Sequence, residues 1–161
     1  MKRTLVLIVT TLLSALVGTG PASAQEIVHF TTPSRNIDCM IFQFDSSTVA
    51  DCLVKNAAWK KVPAKPADCD LDWSNTEVSL TSETKGPRRV STVSTGSCRG
   101  DIGPLCGSIG TNDGCATLAY GKSASLGPIM CTSKATGVAC VTTAGPRRGF
   151  VVNRAGYTVL R

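Results

Sequence analysis

Eight cysteines are the feature that most constrains how this 161-residue chain folds. An even number of thiols, all placed after residue 24, is typical of a disulfide framework in an exported protein. Structural zinc normally shows Cys-x₂₋₄-Cys pairs, whereas the closest cysteines here have seven residues between them, and no redox Cys-x-x-Cys occurs. We therefore expect disulfides rather than metal ligation or thiol exchange. The cysteines are Cys39, Cys52, Cys69, Cys98, Cys106, Cys115, Cys131 and Cys140.

The first 24 residues have the three parts of a secretory signal peptide. Lys2 and Arg3 give the positive start, residues 5–17 the apolar middle, and Ala22-Ser23-Ala24 the small residues of a cleavage site. We predict cleavage after Ala24 and a secreted or periplasmic location. The apolar run is shorter than the roughly 20 residues that span a bilayer, and no later run is longer, so no membrane span is expected after cleavage.

Residues 25–161 are expected to form a single disulfide-rich β domain, since domains commonly contain about 100–150 residues. Short stretches rich in Val, Ile, Thr and Phe alternate with turn-forming Gly, Pro, Ser, Asn and Asp. This pattern predicts an all-β fold with little helix, a small sandwich or barrel of short antiparallel strands. The predicted strands are residues 27–30, 40–44, 48–54, 77–81, 90–95, 117–120, 129–132, 138–142, 150–152 and 157–160.

Hairpin geometry narrows the roughly one hundred ways of pairing eight cysteines. A hairpin folded about Ala135-Thr136 places Cys131 opposite Cys140, and one folded about Asp45-Ser46 places Cys39 opposite Cys52. Facing residues approach to about 4.5–5.5 Å at Cβ, which a disulfide can bridge after slight adjustment. The simplest scheme for the remaining four avoids nested bridges, although other pairings stay open. It joins Cys69 to Cys98 and Cys106 to Cys115.

The segment around the first cysteine resembles a known family. Residues 30–39 read Phe-Thr-Thr-Pro-Ser-Arg-Asn-Ile-Asp-Cys, similar to the opening F-x-(S/T)-P-S-G-N-I-x-C of DUF6636, small secreted bacterial proteins of unknown function. Arg35 stands where the family usually has Gly, and Pro146-Arg147-Arg148 replaces its usual run ending in G-H-G-F. The resemblance implies export and the same fold class, and it carries no activity. Further matching positions are residues 51–52, 59, 69–73, 98–101, 118–121, 127–131, 136–140 and 149–150.

Three aspartates alternate around one cysteine, at Asp68, Asp70 and Asp72. Alternate residues of an extended chain point to one face, and closely set carboxylates bind Ca²⁺. An EF-hand loop would need Gly and Glu where Trp73 and Ser79 stand. The pattern is therefore a weak calcium candidate, and turn and capping roles are the alternative. No other metal site and no cofactor are predicted.

Four arginines occur in two copies of Gly-Pro-Arg-Arg, at Arg88, Arg89, Arg147 and Arg148. If the two turns are neighbours, they form a basic patch suited to anionic envelope polymers. The alternative is solvated charge that aids solubility.

Two tryptophans flank the lysine- and proline-rich connector at residues 60–66. Exposed rings of Trp59 and Trp73 would stack on a sugar or a peptide. In a domain with few aromatic residues, the alternative is that both rings belong to the core.

Other function classes find less support in the composition. A net charge of +6, with few aromatic residues and no dense Lys/Arg stripe, does not indicate nucleic-acid binding. His29 is the one histidine, so no multi-His metal site is available. No Gly-x-Ser-x-Gly nucleophile motif surrounds any serine, and we predict no catalytic residue.

These observations favour a non-enzymatic binding module at the cell envelope or in the medium. Its partner would be an anionic envelope polymer or another exported protein. The alternatives are a protease inhibitor presenting residues 107–114 as a bridged loop and a small secreted hydrolase. A hydrolase would need two carboxylates about 5–10 Å apart in a cleft. The candidates are Asp38, Asp51, Asp72 and Asp101.

Overall fold

The computed structural model describes residues 26–85, 88–100, 105–106 and 114–161, so the predicted signal peptide lies outside the described residues. Within these ranges the chain forms eleven strands and no helix, which confirms the all-β prediction. The strands are β1 Ile27–Thr31, β2 Ile37–Phe44, β3 Ser47–Val54, β4 Asp72–Lys85, β5 Arg88–Arg99, β6 Ala116–Thr117, β7 Ser123–Leu126, β8 Ile129–Lys134, β9 Gly137–Thr142, β10 Gly149–Asn153 and β11 Gly156–Leu160.

The strands form two sheets that pack as a sandwich. One sheet has six strands in the order β5-β4-β3-β2-β1-β6, and the other has five in the order β11-β10-β9-β8-β7. Most neighbours in a sheet are consecutive in the chain and antiparallel, as short hairpin connections require. Strand β6 is the exception, because it lies parallel to β1 at the edge of the six-stranded sheet.

Two hairpins turn at the predicted dipeptides. Strand β2 ends before Asp45-Ser46, where Asp45 has φ of 51°, and β8 ends before Ala135-Thr136. Gly137 follows the second turn with φ of 135°, and a Cβ there would collide with the carbonyl oxygen of Val152. Only glycine satisfies both conditions at this position.

The core lies between the sheets and contains two disulfides that touch. Cys39 faces Cys52 across β2 and β3, and Cys131 faces Cys140 across β8 and β9. The Sγ atoms of Cys52 and Cys140 lie 3.8 Å apart, a van der Waals contact, because neither sulfur carries a hydrogen. All four cysteines are fully buried. Large side chains around them include Phe150, Ile41, Leu80 and Ile129.

Several strands differ from the prediction; β6, for example, covers residues 116–117 where residues 117–120 were expected. Strand β4, expected over residues 77–81, is much longer, with a register shift between Ser74 and Val78. Strand β7 was missed because Ser123-Ala124-Ser125 lacks β-branched and aromatic residues. It forms because it pairs with β8 through a full register, so tertiary pairing overrides weak local preference.

The connections between strands lie at two opposite ends of the sandwich. We call them the Asn36 end and the Arg89 end, after one residue at each. The Asn36 end carries the β1–β2, β8–β9 and β10–β11 turns. The Arg89 end carries the β2–β3, β4–β5, β7–β8 and β9–β10 connections. Each end gathers segments that are distant in sequence.

Candidate functional site

Arg89 and the second Gly-Pro-Arg-Arg segment lie at the same end of the sandwich, the Arg89 end. Arg89 lines a recess of about 450 Å³ together with Thr143 and Ala144, which precede the second copy. The loop of that copy is closed on itself, since Thr142 N donates to the carbonyl of Arg148 (2.8 Å) and Arg148 N donates to Thr142 Oγ1 (2.9 Å). Gly86 and Pro87 lie outside the described residues. The recess is lined by Gln43, Asp45, Ser46, Ser47, Thr48, Arg89, Gly127, Pro128, Thr143 and Ala144.

The four arginines differ in exposure. Arg88, Arg147 and Arg148 are exposed, whereas Arg89 is half-buried and its Nη1 donates to Ser82 Oγ at 3.4 Å. The exposed guanidinium groups present charged donors to solvent at one end of the molecule, as anion binding requires.

The two tryptophans lie in different surroundings. Trp59 belongs to the core, packs against Tyr157 with ring centroids 5.1 Å apart, and donates from Nε1 to the carbonyl of Asn153 at 2.9 Å. Trp73 is half-buried, and its Nε1 donates to the carbonyl of Pro63 at 3.1 Å, which ties the exposed connector to β4. The Trp59 ring therefore packs beneath the β10–β11 turn, and it also lines a recess of about 470 Å³ together with Lys60 and Lys61.

The aspartates around Cys69 do not form a prepared calcium site. Asp68, Asp70 and Asp72 are exposed, and only Asp72 belongs to a strand. The extended geometry that would align the three carboxylates is therefore absent. Within the described part of the chain, no group of three or more His, Cys, Asp or Glu side chains is arranged to hold a metal ion.

All four disulfides join the cysteines in the predicted pairs. Besides the two core bridges, Cys69 is bonded to Cys98 and Cys106 to Cys115. The first ties the end of the connector to the end of β5. The second closes a loop whose residues 107–113 lie outside the described residues, and Cys106 Sγ lies 3.6 Å from the carbonyl oxygen of Phe30.

Buried carboxyl groups lie on the face of the six-stranded sheet that points away from the core. Asp38 is fully buried, its Oδ1 accepts from Thr31 Oγ1 at 2.8 Å, and it pairs with Lys55 Nζ at 3.0 Å. No described residue donates to its Oδ2. A buried charge needs such partners because its desolvation is costly.

Two further carboxyl groups on this face, those of Asp51 and Glu77, lie close to each other. Register places Asp51 diagonally across from Glu77, which is 1% exposed and lies 2.9 Å from Arg99 Nη2 through its Oε2. Burial raises the pKa of Asp51 well above its usual range, and the hydrogen bond and negative charge of Glu77 raise it further. Arg99 lowers the pKa of Asp51 in turn, but its effect is smaller than those of burial and of Glu77.

This arrangement bears on the hydrolase alternative. Asp38 and Asp51 are diagonal neighbours on β2 and β3, but Asp38 is closed off from solvent and neutralised by Lys55. Asp72 is exposed at the start of β4, and Asp101 lies outside the described residues. Among the three described candidates, the strand register thus brings Asp38 and Asp51 together.

A larger recess lies at the Asn36 end, and it was not predicted from the sequence. Its volume is about 780 Å³, and its walls come from the β1–β2, β8–β9 and β10–β11 turns and from the segments around Asn56 and Tyr120. We call it the loop groove. Its residues are far apart in sequence, so no local pattern could show that they lie together. The one local signal was Asn153-Arg154-Ala155-Gly156, a sequence typical of a turn. The lining residues are Thr32, Ser34, Asn36, Ile37, Asn56, Tyr120, Lys134, Ala135, Thr136, Gly137, Asn153, Arg154 and Ala155.

A comparison with protein-family models gives a match that covers nearly the whole chain. The model of DUF6636, a family of unknown function, matches residues 9–160. The chain belongs to this family. Arg35, where the resemblance noted in the sequence leads us to expect glycine, has φ of 53°, a left-handed conformation that favours glycine. No curated protein and no solved structure matches the chain.

The structure also bears on the compartment in which the protein works. Four disulfides are typical of proteins that fold in oxidising environments. None of the described residues belongs to a helix long and apolar enough to cross a membrane.

Proposed function

We propose that this DUF6636 protein is an exported, non-enzymatic binding module that holds an anionic polymer of the cell envelope or the medium at its Arg89 end. The observation that carries the proposal is that Arg88 and Arg89 lie at the same end of a disulfide-bonded sandwich as the loop of the second Gly-Pro-Arg-Arg segment. Guanidinium groups pair with carboxylate and phosphate through charge-assisted hydrogen bonds.

Rigid attachment of the arginines supports this role. Arg88 and Arg89 begin β5, and the loop that carries Arg147 and Arg148 is pinned by the hydrogen bonds between Thr142 and Arg148. A site on fixed backbone loses less conformational entropy when it binds. Repeated weak contacts along a polymer then add through avidity.

Export rests on the signal-like segment at residues 1–24 together with the four disulfides. Protein recovered from outside the cytoplasm should have the mass of residues 25–161 with all eight cysteines oxidised. Reduction and alkylation should then add eight labels. Recovery of the full-length chain with free thiols would overturn export.

Retention on immobilised anionic polysaccharide tests the binding role. The variant with Arg88, Arg89, Arg147 and Arg148 all replaced by Gln should elute at clearly lower salt than the wild type, because screening competes with fewer ion pairs. A matched control replaces the connector residues Lys60, Lys61 and Lys65 by Gln, which removes surface charge elsewhere. Equal retention of the arginine variant and the wild type would overturn the Arg89 end as the binding surface.

The inhibitor and hydrolase alternatives are separated by direct assays. Incubation with common serine proteases would reveal inhibition, and release of reducing ends from the retained polysaccharide would reveal hydrolysis. Either activity would replace the proposal of a purely binding role.

A further inference from the structure

The loop groove at the Asn36 end is a built site rather than a loose gap between turns. Arg35 N donates to the carbonyl of Thr32 at 2.8 Å, and Lys55 N donates to the carbonyl of Asn36 at 2.9 Å. On another wall, Gly121 N donates to the carbonyl of Ser133 at 2.7 Å, which fixes the Tyr120 segment against β8. The walls are thus held by backbone hydrogen bonds before any ligand arrives.

Two amide side chains in the groove have a determined orientation. Asn36 Oδ1 accepts from Asn56 N at 3.0 Å, and Asn153 Oδ1 accepts from the backbone amides of Ala155 (2.8 Å) and Gly156 (3.1 Å). Because the oxygens are occupied, both Nδ2 groups remain as donors. No described residue accepts from them. The groove is therefore rich in hydrogen-bond donors.

The charge of the groove has one sign. Lys134 and Arg154 line it and are exposed, no acidic residue is among its lining residues, and neither cation has an ion-pair partner within the described ranges. Unneutralised cations in a concave site attract anions, because the walls exclude part of the screening solvent.

The loop groove also has one aromatic side chain among its lining residues, that of Tyr120. Tyr120 is 45% exposed although it is a large side chain in a turn tied to β8. An exposed aromatic face beside hydrogen-bond donors suits a ligand that has an apolar face and polar edges. Sugar rings have this combination.

We infer that the loop groove binds a short acidic saccharide. The sugar ring lies against Tyr120, its hydroxyl oxygens accept from the Nδ2 groups of Asn36 and Asn153, and its anionic group pairs with Lys134 and Arg154. This site lies at the opposite end of the sandwich from the Arg89 end and does not depend on the function proposed there.

The test is a titration of the mature protein with a uronic-acid oligosaccharide, a neutral oligosaccharide of the same length and inorganic phosphate. Calorimetry gives the affinity, and the side-chain amide NMR signals of Asn36 and Asn153 report the place of binding. The acidic oligosaccharide should bind most tightly and shift both signals. Free phosphate binding equally well, or none of the three probes binding, would overturn the inference.

Charge variants inside and outside the groove make the test specific. Lys134→Gln combined with Arg154→Gln should weaken binding by about tenfold or more, since hydrogen bonds to charged groups are lost. Tyr120→Ala should weaken the acidic and the neutral sugar alike. Lys60→Gln combined with Lys61→Gln removes the same charge from the exposed connector and should leave the groove affinity unchanged. An equal loss in both double variants would overturn the groove as the site.

The outcomes also separate this inference from the proposed function. Failure of the groove titration with intact retention on immobilised polymer leaves the Arg89 end standing alone. Loss of retention in the arginine variant with normal groove titration shows two independent sites.

Discussion

Arg35 illustrates how one residue can hold an unfavourable backbone conformation in a well-formed turn. Its φ of 53° lies in the left-handed region, and its amide closes the β1–β2 turn by donating to Thr32. Such a conformation costs an L-residue other than glycine roughly 1–2 kcal/mol. The hydrogen bonds around the turn, including those of the Thr32 hydroxyl with Ser34 Oγ and Ile37 N, maintain it.

Arg35→Gly should therefore stabilise the protein by about 1 kcal/mol, because glycine adopts this conformation without the steric cost. Urea denaturation measures the change in the free energy of unfolding. Arg35→Ala is the matched control, since alanine also loses the side chain but keeps the Cβ. A gain as large in the alanine variant would contradict the backbone explanation.

The raised pKa of Asp51 makes the free energy of unfolding depend on pH. Its pKa is raised in the folded chain above the ordinary value of 3.8, mainly by burial, so the folded state binds this proton more tightly than the unfolded state. The resulting stabilisation is fully present below pH 3.8 and is lost as the pH rises through the folded-state pKa.

Asp51→Asn should remove this loss, because the amide cannot ionise. The free energy of unfolding, measured by urea denaturation between about pH 3 and about pH 8, should fall less steeply with pH in the variant. Asp70→Asn, at an exposed position, should keep the wild-type slope. An unchanged slope in Asp51→Asn would contradict the raised pKa of Asp51 as the source of the pH dependence.

At the scale of elements, the long β4–β5 ribbon depends on a close contact between a ring and a backbone. Gly96 in β5 has φ of 77°, and a Cβ at this position would overlap the ring of Trp73 in β4. The register shift between Ser74 and Val78 lies between Trp73 and the regular part of the ribbon. The Trp73 ring thus lies at the stretch of β4 and β5 where the regular pairing of residues is interrupted.

Gly96→Ala should destabilise the protein by about 2–3 kcal/mol, since left-handed strain and displacement of Trp73 add. Gly121→Ala separates the two causes, because Gly121 also has positive φ (81°) but nothing within 4 Å of the added Cβ. The control should lose only about 1 kcal/mol. Thermal unfolding and Trp fluorescence report the loss, and equal costs at both sites would contradict the role of the ring contact.

The elements also show what local sequence can and cannot specify. The hairpins at Asp45-Ser46 and Ala135-Thr136 were predictable because turn residues and facing cysteines agree. Strand β7 was not, because its serines have no strand preference of their own and are ordered by pairing with β8. The parallel placement of β6 beside β1 likewise follows from long-range pairing.

For the whole molecule, the sites were harder to predict than the fold. Sequence reasoning pointed to the arginine pairs because a repeated tetrapeptide is visible locally. It did not group Asp51 with Glu77, since only the register of β3 and β4 makes them neighbours. The loop groove was hidden for the same reason, since Asn36, Tyr120 and Arg154 meet only when both sheets are assembled.

The contact between Cys52 and Cys140 has a consequence for biogenesis. A chain in which one of the two central bridges is still open has a thiol within 3.8 Å of a sulfur of the other bridge, and a thiolate attacks a disulfide sulfur readily when it has access. Such an exchange would form a disulfide between Cys52 and Cys140 that links the two sheets. The β2–β3 and β8–β9 hairpins would then lack their own bridges. Whichever central bridge forms first is therefore open to this attack until the second bridge has closed.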